Sequence, residues 1–137
     1  MPRLEIRRRF FPTLIAISIA LTACGSDNPL GPDSQVQISS APDNFLLQVR
    51  YMEDGTDDLI YNWGNTGTQA SINITQSIGS GSVVLIIKDH EGTVVHQDDI
   101  TTEDNAETAV GVTGDWTLEI QILNATGTFT ISVTKKT

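Results

Sequence analysis

"DWTLEIQILNATGTFTISVT", residues 115–134, decides the fold. In its first half Trp116, Leu118, Ile120 and Ile122 fall on one side of an extended chain, with Thr117, Glu119 and Gln121 on the other. In its second half Phe129, Ile131 and Val133 alternate with threonine and serine. Apolar residues at every second position mark a strand with one face buried, whereas a helix would repeat them every three or four. Asn124-Ala125-Thr126-Gly127, between the halves, is turn chemistry.

The same period recurs outward along the chain. "NFLLQVRYM" (44–52) places Phe45, Leu47, Val49 and Tyr51 on one face, and "ASINITQ" (70–76) does so with Ala70, Ile72 and Ile74. Turn-forming stretches separate these runs: "EDGTDD" (53–58), "GNTG" (64–67), "SIGSGS" (77–82), "DHEG" (89–92), "TTEDNAE" (101–107) and "VTGD" (112–115). The pattern predicts an all-β domain, an antiparallel β-sandwich or jelly roll of seven or eight strands. Two sheets must meet, because one sheet cannot bury its own apolar face.

"SVVLIIK" (82–88) departs from the alternation. Val83, Leu85 and Ile87 share one face, and Val84 and Ile86 make the other face apolar too. Such a strand is either central with its outer face covered, or an exposed apolar strip on which a partner docks.

The amino-terminal end is of another kind. Arg3, Arg7, Arg8 and Arg9 precede the apolar run "FFPTLIAISIALTA". A basic start, a short apolar core and a small-residue end make a secretory signal. The run is too short for a spanning helix, which needs roughly 20 residues. Leu21-Thr22-Ala23-Cys24, holding the only cysteine of the chain, resembles the lipobox of bacterial lipoproteins. That resemblance implies cleavage before Cys24, a diacylglyceryl group on its sulfur and a further acyl chain on the new amino terminus. One acyl chain anchors only marginally, and stable attachment takes two or more signals. Gly25 stands where an aspartate would retain an enteric lipoprotein in the inner membrane, which favours the outer membrane of a Gram-negative-type bacterium. The mature chain can form no internal disulfide.

The expected organisation is a signal peptide over 1–23, a lipidated cysteine and flexible tether over 24–42, and a β-domain over 43–137. Three prolines and two glycines in "GSDNPLGPDSQVQISSAP" (25–42) support the tether, although Val36 and Ile38 alternate with polar neighbours as a first strand would. Cleavage leaves four basic residues (Arg50, Lys88, Lys135, Lys136) and 16 acidic ones, a net charge of −12. So acidic a domain repels nucleic acid and anionic head groups, and the expected membrane contact is through the lipid alone.

The stretch "GSVVLIIKDHEGTVVHQ" (81–97), with the later "GDWTL" (114–118) and "GTFTISV" (127–133), resembles bacterial extracytoplasmic sandwich modules related to prepeptidase C-terminal domains. Those share a D-x-x-G hairpin, here Asp89 to Gly92, and two late strands of this pattern. The resemblance implies a module that accompanies larger proteins or assists surface association, with no catalytic residues to transfer.

No catalytic set is legible. There is no G-x-S-x-G or S-x-x-K, and His90 and His96 are the only histidines. Tip and return strand of a hairpin put those two on the order of 10 Å apart, too far to share one metal. Paired carboxylates could serve a glycosidase, yet the acids lie in turns or on outward strand positions. For calcium, the loops supply hard oxygen ligands at Asp54, Asp57 and Asp58, at Asp98 and Asp99, and over 103–107. Trp63 and Trp116 could stack a sugar, but each lies on an apolar stripe that reads as core. Asn73 and Asn124 fall in N-x-S/T triplets, which matter only in a eukaryotic secretory pathway. The expectation is a lipid-anchored, non-enzymatic structural or protein-interaction module of the cell envelope, such as an accessory subunit of an envelope assembly. A calcium- or carbohydrate-binding surface module is the alternative.

Overall fold

A computed structural model describes residues 28–102 and 104–136. Cys24 and the rest of the lipobox lie outside the described residues, as does Glu103. Six strands follow in order: β1 (Gln35–Ala41), β2 (Asn44–Asn65), β3 (Ala70–Lys88), β4 (Val94–Asp99), β5 (Asn105–Glu107) and β6 (Gly114–Lys135), with a 3₁₀ turn at Ile100–Thr102. All pairings are antiparallel, in the order β1-β2-β6-β3-β4, with β5 on β3.

Three of these strands fold in half. Straight, the 22 residues of β2 would span about 70 Å. Yet Asp43 N, just before its start, donates to Gly64 O near its end at 2.8 Å. The rings of Phe45 and Tyr61, 16 residues apart, stand 5.8 Å between centroids. The ladders slip at one level in all three: between Val49 and Asp57 in β2, between Ile78 and Ser82 in β3, and opposite these in β6.

Backbone conformation makes the bend. Tyr51, Asp54 and Asn124 have φ of 59°, 48° and 47°, and Gly81 and Gly127 have 81° and 140°. A Cβ on Gly127 would overlap Ser77 O, and one on Gly81 would overlap Asn124 O. Glycine alone combines that φ with such close approach.

One folded sheet therefore supplies both layers of the sandwich. The first layer holds β1, the leading half of β2, the trailing half of β6, the leading half of β3, and β5. The second holds the trailing half of β2, the leading half of β6, the trailing half of β3, and β4. Phe45, Leu47, Val49, Ile72, Ile74, Phe129, Ile131 and Val133 are buried from the first layer. Trp63, Val83, Leu85, Ile87, Trp116, Leu118, Ile120 and Ile122 are buried from the second. The expected all-β sandwich is what forms, and the faces assigned from the alternation point as expected except at Tyr51. That residue was placed with Phe45, Leu47 and Val49 but is 59% exposed, because its positive φ breaks the alternation and turns Met52 inward instead.

Two expectations are corrected. "EDGTDD", "SIGSGS" and "NATG" are bends within continuous strands rather than turns between separate ones, so six strands do the work of the seven or eight expected. A residue with positive φ reverses a chain only if its flanks pair with each other. Here they pair with neighbouring strands that bend at the same level.

The domain also begins before residue 43. Leu30 is 2% exposed and plugs the bend, with Glu53 N donating to Leu30 O at 3.0 Å and Thr56 N to Pro29 O at 2.9 Å. Gly55 makes room, since a Cβ there would sit 2.9 Å from Leu30 Cα. β1 then pairs with β2 from Gln35↔Arg50 to Ala41↔Asn44. Residues 28–42 are thus docked rather than tether. Burying Leu30 yields about 1.5–3 kcal/mol, which helps to offset ordering a proline-rich segment that is already restricted in φ.

Candidate functional site

The sandwich has two poles. At the bend pole lie the docked segment 28–34 and the bends of β2, β3 and β6. At the loop pole lie the turns at 42–43, 65–69, 89–93 and 112–113.

The loop pole is closed by polar side chains. Asp43 Oδ1 accepts from Thr66 N at 2.7 Å and Oδ2 from Thr66 Oγ1 at 2.8 Å, and Lys135 Nζ stands 3.8 Å from Oδ2. Those bonds, the backbone one first, and Lys135 hold the Asp43 carboxyl below the usual carboxylate range. In the D-x-x-G hairpin, Asp89 Oδ1 accepts from Glu91 N at 3.0 Å and Thr93 N at 2.9 Å, and Oδ2 from Val112 N at 2.9 Å. Burial pushes the Asp89 carboxyl up, but the three amides and the charge of His90 outweigh it, and the net shift is down. Gly92 closes the hairpin at φ 85°. His90 stands exposed at the tip, and His96 is half-buried on β4.

Trp63 and Trp116 are buried beneath this pole, edge to face at 6.0 Å and 89°. Their Nε1 atoms donate to Ala41 O (3.0 Å) and Val112 O (2.7 Å). They are core, and present no ring face to a sugar.

The trailing half of β3 is central in the second layer, flanked by β6 and β4. Ile86 is 8% exposed and Val84 half-buried, so the two do not form an open strip. Val84 edges a shallow groove of about 560 Å³ with Asp57, Asp58, Gln121 and Leu123.

The candidate calcium ligands are kept apart. Asp58↔Gln121, Gln121↔Val84 and Val84↔Asp99 run in one row across the sheet, which puts Asp58 and Asp99 about 14 Å apart. Asp57 Oδ1 accepts from Asp58 N and Asp98 Oδ1 from Asp99 N, both at 2.8 Å. Asp99 Oδ1 caps the 3₁₀ turn through Thr101 N and Oγ1 at 2.9 and 2.7 Å. Asp54 lies in the bend of β2. Among the described residues no three His, Cys, Asp or Glu side chains are grouped to hold a metal ion.

Sequence alone missed one carboxyl pair. Asp58 on β2 and Glu119 on β6 are diagonal neighbours on the outer face of the second layer, since Asp58 pairs with Gln121 and Ile60 with Glu119. Hydrogen bonding to Glu119 raises the Asp58 pKa, with further contributions from burial and from the charges of Glu119 and Asp57. The Tyr61 hydroxyl is also pushed up, by burial and then by Asp57.

β1 is the other feature of note. All seven of its residues are exposed, none is charged, and among the described residues β2 is its one partner. Val36 and Ile38, 42% and 44% exposed, face the core side beyond the margin of the second layer, in register with Val49 and Leu47. Their alternation with glutamine and serine was the available signal. No helix among the described residues is long and apolar enough to cross a membrane. No protein-family model matches the chain, and no curated protein matches it.

Proposed function

We propose that this chain is a lipid-anchored lipoprotein of the bacterial cell envelope, attached through Cys24, whose domain is a non-enzymatic structural or protein-interaction module. The observation that carries the interaction role is β1. An edge strand offers a row of unpaired amides and carbonyls to another strand, and proteins ordinarily blunt such edges with lysine, proline or a bulge. "QVQISSA" has none of these, in a mature chain of net charge −12. Addition of a partner strand, with Val36 and Ile38 supplying apolar contact, is the mode that fits.

A photo-crosslinking residue at Ser39, compared with one at Thr75, tests the role in cells. A discrete adduct from Ser39 that Ile38→Lys removes is the expected outcome. Equal, diffuse labelling from both positions would count against β1 as the contact. For the anchor, Cys24→Ser is expected to block acylation and release the protein from the membrane fraction. Unchanged membrane attachment would refute the lipobox.

A further inference from the structure

The docking of Leu30 has a consequence for how the domain stands on its membrane. Pro29 is five residues on from Cys24, so even a fully extended chain, at about 3.5 Å per residue, separates them by at most about 18 Å. Pro29 and Leu30 are fastened to the bend of β2 through Thr56 N and Glu53 N. The leash therefore ends at one pole of the sandwich and is shorter than the domain, whose half-strands run about 30 Å from bend to loops.

We infer that the bend pole faces the bilayer at head-group level, while the loop pole, with Asp43, Thr66 and the 89–92 hairpin, points away from it. This rests on the lipid-anchor reading. The occupant of the bend pole is then the lipid surface itself, and its make-up is apt. Tyr51 and Leu123, 59% and 55% exposed, project from the bends. Tyrosine suits the interface, with an apolar ring and a polar tip. Asp33, Glu53 and Asp54 are exposed around them and oppose deeper contact with anionic head groups, a repulsion that salt screens within about 10 Å at 0.1 M. The short leash holds the pole near the membrane against that repulsion. β1 runs from the bend pole to the loop pole, so a partner strand added there would lie along the membrane normal.

The test uses the full chain, expressed, processed and reconstituted into phosphatidylcholine vesicles carrying a head-group nitroxide lipid. Leu123→Cys and Glu91→Cys, each labelled with a fluorophore, report the two poles, and circular dichroism checks that both variants fold. Severalfold stronger quenching at position 123 than at 91 is expected, and equal or reversed quenching would overturn the orientation. Inserting about 20 Gly/Ser residues between Ser26 and Asp27 gives a leash with an r.m.s. reach of about 25 Å, and the contrast should then collapse. A contrast that survived the insertion would refute the leash as its cause. The mass of the Cys24 peptide is read on the same samples. An unacylated Cys24 overturns the anchor reading, whereas an acylated Cys24 without contrast overturns the orientation alone.

Discussion

The two poles close the same sandwich by different means. At the bend pole three strands pass without interruption from one layer to the other, and closure depends on backbone dihedrals and on glycines that leave room for a neighbour's carbonyl. At the loop pole the chain is cut into turns, and closure depends on carboxylate and hydroxyl oxygens that capture backbone amides. The bend pole captures amides as well, Tyr51 N, Asp54 N and Asn124 N donating to the hydroxyls of Thr128, Thr126 and Thr56, but these acceptors are uncharged, and Gly81 and Gly127 leave no room for a side chain. The loop pole depends on the carboxylates of Asp43 and Asp89, and is therefore the pole sensitive to charge.

Substitutions can break that comparison. Trp116→Ala should have the largest effect, about 3–5 kcal/mol, because it removes a wholly buried ring from the Trp63 edge contact and leaves Val112 O only the longer bond from His90 N. Urea denaturation reads it directly. Gly127→Ala, at the other pole, should cost about 3 kcal/mol, through strain at φ 140° and overlap with Ser77 O. If it cost no more than an exposed surface substitution, the bend would be more plastic than its close backbone approaches imply. Leu30→Ala should cost about 2 kcal/mol and speed proteolysis before residue 35, since the plug and not the ladder holds residues 28–34.

Smaller effects separate the poles by pH. The depressed Asp89 carboxyl adds stability that is present above its unfolded pKa, about 3.9, and is lost as the pH falls through its folded value. Asp89→Asn should therefore lower the Tm at neutral pH, with the gap closing under acid conditions. Asp58 has the opposite sign. Its raised pKa contributes stability that is present below the unfolded value and lost as the pH rises through the folded one. Asp58→Asn keeps a hydrogen bond to Glu119 without the repulsion, so its Tm should match or slightly exceed the parent's at neutral pH and lose that advantage in acid. A parallel pH response in the two variants would remove the distinction.

Local chemistry was legible wherever a residue's role depends on its near neighbours. The period of two assigned the core faces of β2, β3 and β6 apart from Tyr51 at the bend, put both tryptophans inside, and placed Asp89 and Gly92 in a hairpin. Each of those assignments follows from the pleat or from a turn's own dihedrals, which the chain carries with it. The doubly apolar 82–88 run could be read in two ways. Its central place in the second layer came from pairing with β4 and β6, which no local pattern specifies.

What only the tertiary structure decided is which positive-φ residues turn the chain and which merely bend it. "DHEG" and "SIGSGS" look alike as strings. The first closes a hairpin because Lys88 and Val94 pair across it. The second bends a strand because its flanks pair with β6, which bends at the same level. Leu30 was hidden for the same reason, since the pocket it fills exists only once three bends coincide. Asp58 and Glu119 meet across 61 positions of sequence, a distance over which only register brings two carboxyls together. Alternation sets which way each side chain points, but register and coincident bends arise between strands remote in sequence, and those pairings form only as the whole sheet folds.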